Sequence, residues 1–538
     1  MVTLKFLGGD NVMQPQGLRS STDACQSGTR VGTISVEIAQ TVETASHKTT
    51  MARSLEWLQL SLLLLLFCSC AQSFLQRQTR GNVTRKENGA TPDWFLQKLD
   101  HFSKKKLTSW TQTFYVNKDF YKPGGPVFLM IEGRRPASMQ WINKNYTWIT
   151  YAKRLGALCF LLEHRFYGSS LPTADLRTPN LRRYLSSRQA VADIAEFRTK
   201  VAQEMRLTGN KWVLFGGGYG GSLAVWSKIK HPNLFAAVVS SSAPVQAKAD
   251  FYEYFDETYK ALAAHNRECL KAVKEAYGLV GAMLLLPDYH RKLKFDYKLC
   301  EPLTINSEMD QLFILEKIMI LPAAVVQSNT RSKTVEGLTR EMRIDEFCEK
   351  MTNTSMGSPY HRFANVISTM LKNKDGFCLS ANYNESRSGF SAASVEMNNY
   401  FIGRPWFFQC CTELGYFFTT SLRNHSFSGL PLRYYVKKCA DVFGPDININ
   451  SITRGAMATN RYYDGLKVRG SKIIFANGSY DPWHRLGITK DISKDLRAVF
   501  IRGESHCEDM LEPQDTDSAE LIQAREKIFQ ILQKWLRE

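Results

Sequence analysis

The stretch from residue 212 to residue 226 constrains the fold of this chain more than any other. Its first part, WVLF, has the apolar composition and the length of a buried strand. Glycines and one tyrosine follow at residues 216–221, and SLAVWSKIK then has the character of a helix. A strand, a tight glycine turn and a helix in this order are typical of a nucleophile elbow, a turn that presents its central residue at the edge of a sheet.

The residue at the apex of this turn carries no nucleophile. An elbow follows the pattern G-x-S-x-G, and Gly218 stands between Gly216 and Gly220 where the serine is expected. Glycine relaxes the strained backbone of such a turn because it has no Cβ atom. The substitution is therefore expected to preserve the fold while it removes the attacking oxygen. A phosphate-binding loop is excluded, because no G-K-[ST] sequence follows the glycines.

Apolar strands alternate with helical stretches on both sides of the elbow. The predicted strands are TQTFYVNKDF, GGPVFLMIEG, ALCFLLEHRF, WVLF, FAAVVSSSA, SKIIFANGS and LRAVFIRGES. Helices are predicted near residues 149–155, from Ser186 onwards, and in the closing stretch SAELIQAREKIFQILQKWLRE. Such alternation predicts a parallel sheet with both faces covered. Residues 74–110 read as polar and basic, with WFLQKLDHF as a short anchoring stretch.

This alternation stops between residues 246 and 444, where helical patterns and cysteines dominate, and it returns from residue 445. The predicted fold class is therefore α/β. We expect an α/β-hydrolase sheet domain formed by residues 92–245 and 445–538, with an inserted helical, disulfide-bearing cap domain at 246–444.

Two polar side chains follow late strands in the order that an α/β-hydrolase needs. Asp481 comes after the strand IIFANGS, and His506 comes after the last strand, AVFIRGES. Loops after parallel strands meet at one edge of the sheet, so both side chains are expected to face Gly218. In that arrangement Asp481 orients the imidazole and His506 acts as the general base. Each residue alone is weak support, since Asp-Pro is a common turn and a single histidine is more often structural.

Longer motifs extend this interpretation to a family. They are EHRFYG (163–168), RRYLSSRQAVADIAEF (182–197), FGG-YGGSLAVW (215–226), VSSSAPV (239–245), CTELGYFF (411–418), NRYYDGL (460–466), NGSYDPWH (477–484) and SHCEDM (505–510). With these motifs the chain resembles the secreted and lysosomal prolyl-type serine exopeptidases, which include lysosomal Pro-X carboxypeptidase, dipeptidyl peptidase II and thymus-specific serine protease. The resemblance extends from about residue 92 to the end. It implies a capped α/β-hydrolase with Asp481 and His506 in the triad.

The chain departs from the family pattern twice, both times in the catalytic machinery. Members have G-G-S-Y-G-G where this chain has Gly218 in place of serine. After an early strand they have a loop resembling G-G-E-G-P, where this chain has Glu132-Gly133-Arg134-Arg135-Pro136. The resemblance implies that the backbone N–H groups of Tyr219 and Gly133 form the oxyanion hole. Two arginine side chains would change the shape and the charge of that loop.

Other candidate nucleophiles are less favoured. Ser222 lies one helical turn beyond the apex, about 6 Å away by helix rise and outside the reach of the general base. Ser240–Ser242 follow the next strand and are expected to support the end of the sheet. Cys507 offers a thiol in principle, although a structural or disulfide role is favoured for it.

Residues 51–73 are typical of a secretory signal peptide. The segment begins with Met51, carries an arginine nearby, has an apolar centre at Leu60–Phe67 and ends in small residues. The apolar centre is too short for a stable membrane span, and cleavage is expected near residues 72–74. Residues 1–50 form a polar leader that is doubtful as a translated part of the protein.

Sequons and cysteines agree with passage through the secretory pathway. Glycans are expected at Asn82, Asn145, Asn353, Asn384 and Asn424. The sequon at Asn477 lies in the loop of the candidate acid and is expected to stay unmodified. Seven of the nine cysteines after residue 73 lie between Cys269 and Cys439, which fits disulfides in an oxidising compartment, while Cys159 is expected to be a buried thiol. We expect an extracellular or endosomal and lysosomal location.

The formal net charge is +18, from 69 Lys and Arg against 51 Asp and Glu. The basic residues are scattered, with Lys104–Lys106 as the longest pure run, so a solvated basic surface is favoured over a dedicated polyanion site. The sequence contains no zinc-type C-x-x-C pairs and no RNA-binding signature. We therefore expect no nucleic-acid partner, no metal and no cofactor.

The sequence is compatible with two functions. The favoured one is a secreted or endolysosomal serine exopeptidase homologue that is catalytically impaired and binds peptides or peptide ends in the cleft between cap and sheet. The alternative is an active proline-directed serine exopeptidase, either a carboxypeptidase or a dipeptidyl peptidase, that works in spite of Gly218. The sequence does not decide the oligomeric state, and a homodimer also stays open.

Overall fold

A central sheet of eight strands organises the described part of the chain. In the computed structural model this part comprises residues 90–105, 108–303, 307–329, 334–335, 338–339, 342–372, 378–393, 403–420 and 429–538. The leader 1–50, the predicted signal peptide 51–73 and the sequons at Asn82 and Asn424 lie outside it. The strands are, in chain order, β1 (Thr91–Lys98), β2 (Ser109–Asn117), β3 (Val127–Ile131), β4 (Leu158–Leu162), β5 (Trp212–Gly217), β6 (Ala237–Ser241), β7 (Lys248–Asp250), β8 (Thr334–Val335), β9 (Leu338–Thr339), β10 (Gly415–Phe417), β11 (Ile473–Gly478) and β12 (Leu496–Ile501).

The order of strands in this sheet is β1-β2-β4-β3-β5-β6-β11-β12. From β4 to β12 every neighbouring pair is parallel, whereas β2 runs antiparallel to both β1 and β4. A largely parallel sheet with a strand–turn–helix elbow after a central strand is the α/β-hydrolase arrangement. The structure therefore confirms the predicted fold class.

Helices cover the sheet and fill the long interval between β7 and β11. The helices are, in chain order, α1 (Gln140–Asn143), α2 (Thr147–Leu155), α3 (Thr178–Tyr184), α4 (Ser187–Glu204), α5 (Tyr219–Lys230), α6 (Glu253–His265), α7 (Arg267–Leu284), α8 (His290–Asp296), α9 (Glu308–Gln327), α10 (Ile344–Thr352), α11 (Pro359–Lys372), α12 (Tyr383–Ser391), α13 (Arg404–Gln409), α14 (Leu432–Phe443), α15 (Ile449–Tyr463) and α16 (Ala519–Arg537). Single helical turns occur at Pro287–Tyr289, Thr354–Met356, Cys410–Leu414, Pro482–Leu486 and Glu508–Met510. No helix in the described ranges is long and apolar enough to cross a membrane.

Side chains of the central strands alternate between two cores, one on each face of the sheet. In β3, Val127, Leu129 and Ile131 point into the first core, and Phe128 and Met130 point into the second. Helices α4 and α5 contribute to the first core, whereas α2 and α16 contribute to the second. The first core continues into the helices between β7 and β11, so these helices and the sheet share one apolar interior. The division into a sheet domain and a cap at residues 246–444 stays a prediction.

Strand β1 differs from the sequence-based expectation. The stretch WFLQKLDHF, expected to be a short anchor, lies largely in this strand at the outer edge of the sheet. Only Phe95 and Gln97 of the strand are buried, while Trp94 and Leu96 stay exposed. An edge strand has one neighbour and little to bury, so its alternation is too short to be told from a loop.

Three disulfides lie within the helical region. They join Cys269 to Cys348, Cys300 to Cys378, and Cys411 to Cys439. Among the residues that the structure describes, three cysteines stay free: Cys159, Cys410 and Cys507. Cys159 is a fully buried thiol, as expected. The disulfide role suggested for Cys507 is wrong, since its sulfur has no cysteine partner in the described chain.

Candidate active site

The glycine turn folds as the sequence pattern predicts. Strand β5 ends at Gly217, helix α5 begins at Tyr219, and Gly218 between them has φ 55° and ψ −124°. A residue with a side chain pays about 1–3 kcal/mol for such a backbone conformation, and glycine avoids most of this cost. The N–H of Gly218 donates to the carbonyl of Ser241, 2.9 Å away, and this bond ties the apex to the end of β6.

The turn also packs backbone against backbone. A Cβ atom on Gly220 would lie 2.4 Å from the carbonyl oxygen of Ile131, at the end of β3, and one on Gly216 would lie 2.4 Å from the carbonyl oxygen of Gly220. Neither contact leaves room for a side chain. Glycine is therefore required at residue 220 by the close approach of α5 to β3, and at residue 216 by the close approach of β5 to α5. A Cβ atom at Gly218 would meet only the His506 ring.

Asp481 and His506 lie together at the same edge of the sheet. Asp481 follows β11 and is fully buried, and His506 follows β12 with about a quarter of its side chain exposed. Nδ1 of His506 is 2.8 Å from Oδ2 of Asp481, while the other carboxylate oxygen accepts the N–H of Trp483. Nε2 of His506 then faces the apex, 3.2 Å from where a Cβ atom of residue 218 would stand. The three positions are thus aligned in the order Asp481, His506, Gly218.

The aspartate sets the charge of this histidine. Burial by itself lowers the pKa of His506, but the negative charge and hydrogen bond of Asp481, together with the nearby sulfur of Cys507, raise the pKa well above its usual value. Because the pKa of His506 is higher in the folded chain than in the unfolded one, the pair stabilises the fold below about pH 6.5, and this stabilisation is lost as pH rises through the folded-state pKa.

Replacing Asp481 by asparagine is expected to lower the pKa of His506, since burial is then opposed only by the nearby Cys507 sulfur. The measurement is an NMR titration of the imidazole C–H signals, with His506→Gln used to identify the resonance and circular dichroism used to check the fold. An unchanged pKa in a folded Asp481→Asn chain would show that the carboxylate does not control the histidine.

The two expected oxyanion donors differ in availability. The backbone N–H of Tyr219 is the first of helix α5 and has no acceptor among the described residues. The N–H of Gly133 instead donates to Oε2 of Glu132, the preceding residue, over 2.9 Å. One donor is therefore open toward the apex, and the other is engaged by a carboxylate from its own loop.

The remaining hydroxyls and the thiol near the apex have other partners. Ser222 is fully buried and donates to the carbonyl of Pro244 over 2.9 Å. Ser240 donates to the carbonyl of Gly221, Ser241 donates to the carboxylate of Asp509, and Ser242 accepts the N–H of Cys507, so all three hold the ends of strands and loops together. The Cys507 sulfur lies 3.7 Å from the carbonyl oxygen of Ser241 and beside the turn.

The apex opens into a cavity of about 380 Å³. This volume suits a small ligand or the end of a peptide. Its lining includes Gly218, Tyr219 and His506 from the sheet edge, and Arg134 from the loop after β3. The opposite wall comes from the helical region and includes Val325, Gln327, Met342, Met370 and Trp406.

Gln327 is a positioning residue that the sequence patterns did not reveal. It ends helix α9, and its side-chain oxygen accepts both the Nε1–H of Trp483 (3.0 Å) and the hydroxyl of Tyr254 (2.7 Å). Its backbone carbonyl accepts the N–H of His506 over 3.2 Å. The helical region therefore holds the histidine loop directly. Nothing in the sequence pattern distinguishes a glutamine at the end of an apolar helix as a residue with this role.

The predicted glycosylation sites that the structure describes differ in exposure. Asn145, Asn353 and Asn384 are exposed. Asn477 is buried in β11, and its side chain donates to the carbonyl of Ile488 over 2.9 Å. Within the described ranges, no group of three or more His, Cys, Asp or Glu side chains is arranged to hold a metal ion.

Comparison with known proteins gives one family. The sequence model of the serine carboxypeptidase S28 family matches residues 97–528 of this chain. A putative serine protease of Caenorhabditis elegans is 33% identical over 462 residues, which cover 82% of this chain and 87% of the relative. Thymus-specific serine protease of Mus musculus is 31% identical over 518 residues, covering 91% and 99%. Human lysosomal Pro-X carboxypeptidase is 26% identical over 459 residues, covering 83% and 88%.

Among solved structures, proline iminopeptidase of Mycobacterium smegmatis matches with a TM-score of 0.34 and 11% identity, covering 83% of this chain and 99% of the other. The family match alone spans more than three quarters of the sequence and contains the elbow, the aspartate and the histidine. This chain therefore belongs to the serine carboxypeptidase S28 family.

Proposed function

We propose that this protein is a serine exopeptidase homologue that has lost efficient catalysis and binds peptides or peptide ends in the cavity beside Gly218. The observation that carries the proposal is the apex itself. Nε2 of His506 faces a residue without a side chain, so the general base has no hydroxyl to deprotonate. In a serine peptidase, loss of the triad serine costs on the order of 10⁶ in kcat.

The other nucleophiles do not replace the missing oxygen. The hydroxyls of Ser222 and Ser240–Ser242 are engaged with backbone carbonyls, a buried carboxylate or a backbone N–H. The Cys507 sulfur lies 3.7 Å from the carbonyl oxygen of Ser241 and also interacts with the His506 side chain, so its contribution is tested separately with Cys507→Ala. With Gly133 N–H held by Glu132, the second oxyanion donor is missing as well.

The features around the turn support retained binding. A cavity of about 380 Å³ lies beside the turn, the Asp481–His506 pair is hydrogen bonded, the Tyr219 N–H is open, and the helical region forms the far wall. We assign the sheet domain to residues 92–245 and 445–538 and the cap to residues 246–444. Peptide binding at the junction of the two is the activity that this geometry supports.

We further propose that the protein follows the secretory pathway to an extracellular or endosomal and lysosomal location. Three disulfides and the exposed sequons at Asn145, Asn353 and Asn384 support this assignment. The predicted signal peptide at residues 51–73 is consistent with it, and Asn477 is expected to carry no glycan because its side chain is buried.

The purified chain is expected neither to react with a fluorophosphonate serine probe nor to cleave proline-containing peptides. Gel fluorescence and peptide turnover measure these two properties, with heat-denatured protein as the control for nonspecific labelling. Labelling of the native chain that disappears on heating would instead favour the alternative, an active proline-directed serine exopeptidase. Turnover that disappears in Cys507→Ala would identify the thiol as the nucleophile and would also overturn the proposal.

A further inference from the structure

Arg134 stands out among the charged groups that line the cavity, which are Glu132, Arg134, Arg135, His506 and Glu508. Its guanidinium forms no hydrogen bond or ion pair with any residue that the structure describes. The group lies over the ring of Trp406, with 5.5 Å between its central carbon and the ring centre. A cation in this position faces the cavity rather than a protein carboxylate.

No carboxylate forms an ion pair with Arg134 in the described part of the chain, and none is among the groups that most strongly affect its pKa. Burial lowers the pKa of Arg134, and neighbouring Arg135 lowers it further, although a guanidinium still stays protonated. The groups that act in the opposite direction are the side chains of Cys410, Tyr254 and Tyr167. Burial raises the pKa of each of these acids, so all three are neutral at pH 7. A half-buried arginine without a counter-charge gains free energy when a ligand supplies one.

The apex supplies two further groups that favour an anion. The open N–H of Tyr219 lies at the positive end of α5, a helix of 12 residues. Nε2 of His506 faces the space that a serine side chain would fill, and the Asp481 carboxylate on the other side of the ring raises the pKa of the imidazole. Both groups line the same cavity as Arg134. Three separate elements, the loop after β3, helix α5 and the loop after β12, thus present positive charge or an N–H group to one space.

We propose that the cavity selects peptides through a carboxylate group that binds the guanidinium of Arg134. This inference rests on the proposed peptide-binding function and names the ligand chemistry for it. The carboxylate has two sources in a peptide, the C-terminus and the side chain of Asp or Glu. The guanidinium of Arg134 binds the carboxylate that both sources offer. The shape of the cavity around it determines whether a C-terminus or an acidic side chain fits.

The test compares matched peptides that differ only in this group. One pair is N-acetyl-Ala-Pro with a free C-terminal carboxylate and the same peptide as its C-terminal amide. The other pair is N-acetyl-Glu-Pro-amide and N-acetyl-Gln-Pro-amide. Binding is measured by calorimetry and by the fluorescence of the tryptophans in the cavity wall, one of which, Trp406, contacts Arg134.

In the parent chain, at least one carboxylate peptide is expected to bind about 10- to 100-fold more tightly than its neutral partner, the usual effect of a hydrogen bond to a charged group. Arg134→Gln is expected to remove this difference between the charged and the neutral peptide, and Arg134→Lys is expected to keep part of it. Arg291→Gln removes the same charge from an exposed position in α8 and is expected to change nothing. Equal melting temperatures show that each variant is folded.

The outcomes separate this inference from the function on which it rests. Carboxylate and neutral peptides that bind the parent chain equally well would overturn the role of Arg134 and leave peptide binding intact. A preference that persists in folded Arg134→Gln would also overturn that role. If no peptide of either kind binds the parent chain, both the inference and the proposed function fail.

Discussion

Replacing Gly218 by serine is expected to give this chain the peptidase activity that we propose it has lost. The Asp481–His506 pair is already hydrogen bonded, and the new Cβ atom would stand 3.2 Å from Nε2 of His506. The serine hydroxyl would therefore meet a general base in place. A triad serine raises kcat by roughly 10⁶, and a missing oxyanion donor lowers kcat by about 10²–10³. The expected net gain in kcat for Gly218→Ser is therefore about 10³–10⁴.

This gain comes at a cost in stability. A serine at φ 55° adopts a strained backbone, at about 1–3 kcal/mol, and the histidine ring must move by a few tenths of an ångström. Gly218→Ala is the matched control, because it introduces the same strain and the same Cβ contact without a hydroxyl. It is expected to melt at the same reduced temperature as Gly218→Ser and to stay inactive.

Peptide turnover and fluorophosphonate labelling measure the recovered activity. Adding His506→Gln to Gly218→Ser is expected to abolish both, since the base is then gone. A parent chain that already equals the serine variant would end the hypothesis of an impaired homologue. A folded but silent Gly218→Ser chain would show that the apex or the histidine has been misassigned.

Adding Glu132→Gly to Gly218→Ser is expected to raise kcat by a further factor of about 10²–10³, the usual effect of one oxyanion donor. In the structure the carboxylate of Glu132 accepts the N–H of Gly133, so this donor is not available to a developing oxyanion. Removing the side chain frees the N–H and takes a negative charge out of the cavity. The measurement compares kcat and KM of the single variant Gly218→Ser with those of the combined variant.

Glu132→Gln separates the two effects of that side chain. The amide oxygen can still accept the N–H of Gly133, but the charge is gone. If occupation of the donor is the cause, Glu132→Gln gives little of the gain, and if repulsion is the cause, it gives most of it. Glu132→Gly alone is expected to stay inactive. No gain in kcat from the combined variant would mean that Gly133 N–H does not contribute to the oxyanion hole.

The sheet and the alignment of its catalytic positions could be predicted from the sequence, because both follow from local rules. Apolar runs give the strands, and parallel strands bring the loops that follow them to one edge. More than two hundred residues separate Gly218 from Asp481 and His506, yet the order of strands places the three together. The edge strand β1 escaped prediction because only Phe95 and Gln97 are buried in it.

The far wall of the cavity could not be predicted in the same way. Gln327, Met342, Met370 and Trp406 come from separate parts of the helical region, and their meeting depends on how the helices pack rather than on any pattern in the sequence. The loop Glu132–Pro136 is an intermediate case. Its unusual arginines were visible in the sequence, but the bond from Gly133 N–H to Glu132 and the open position of Arg134 required the structure.

The glycines of the turn carry a consequence for how such a protein changes over generations. At Gly216 and Gly220 an added Cβ atom would lie 2.4 Å from a backbone oxygen, so a side chain at residue 216 would break the packing of β5 on α5 and one at residue 220 would break the packing of α5 on β3. Gly218 meets only the ring of His506, so the one position that decides chemistry is also one that can vary without loss of the fold. A mutation from serine to glycine at this position can therefore remove catalysis and leave a folded protein on which selection still acts. A mutation back to serine can restore catalysis as long as the aspartate and the histidine are retained.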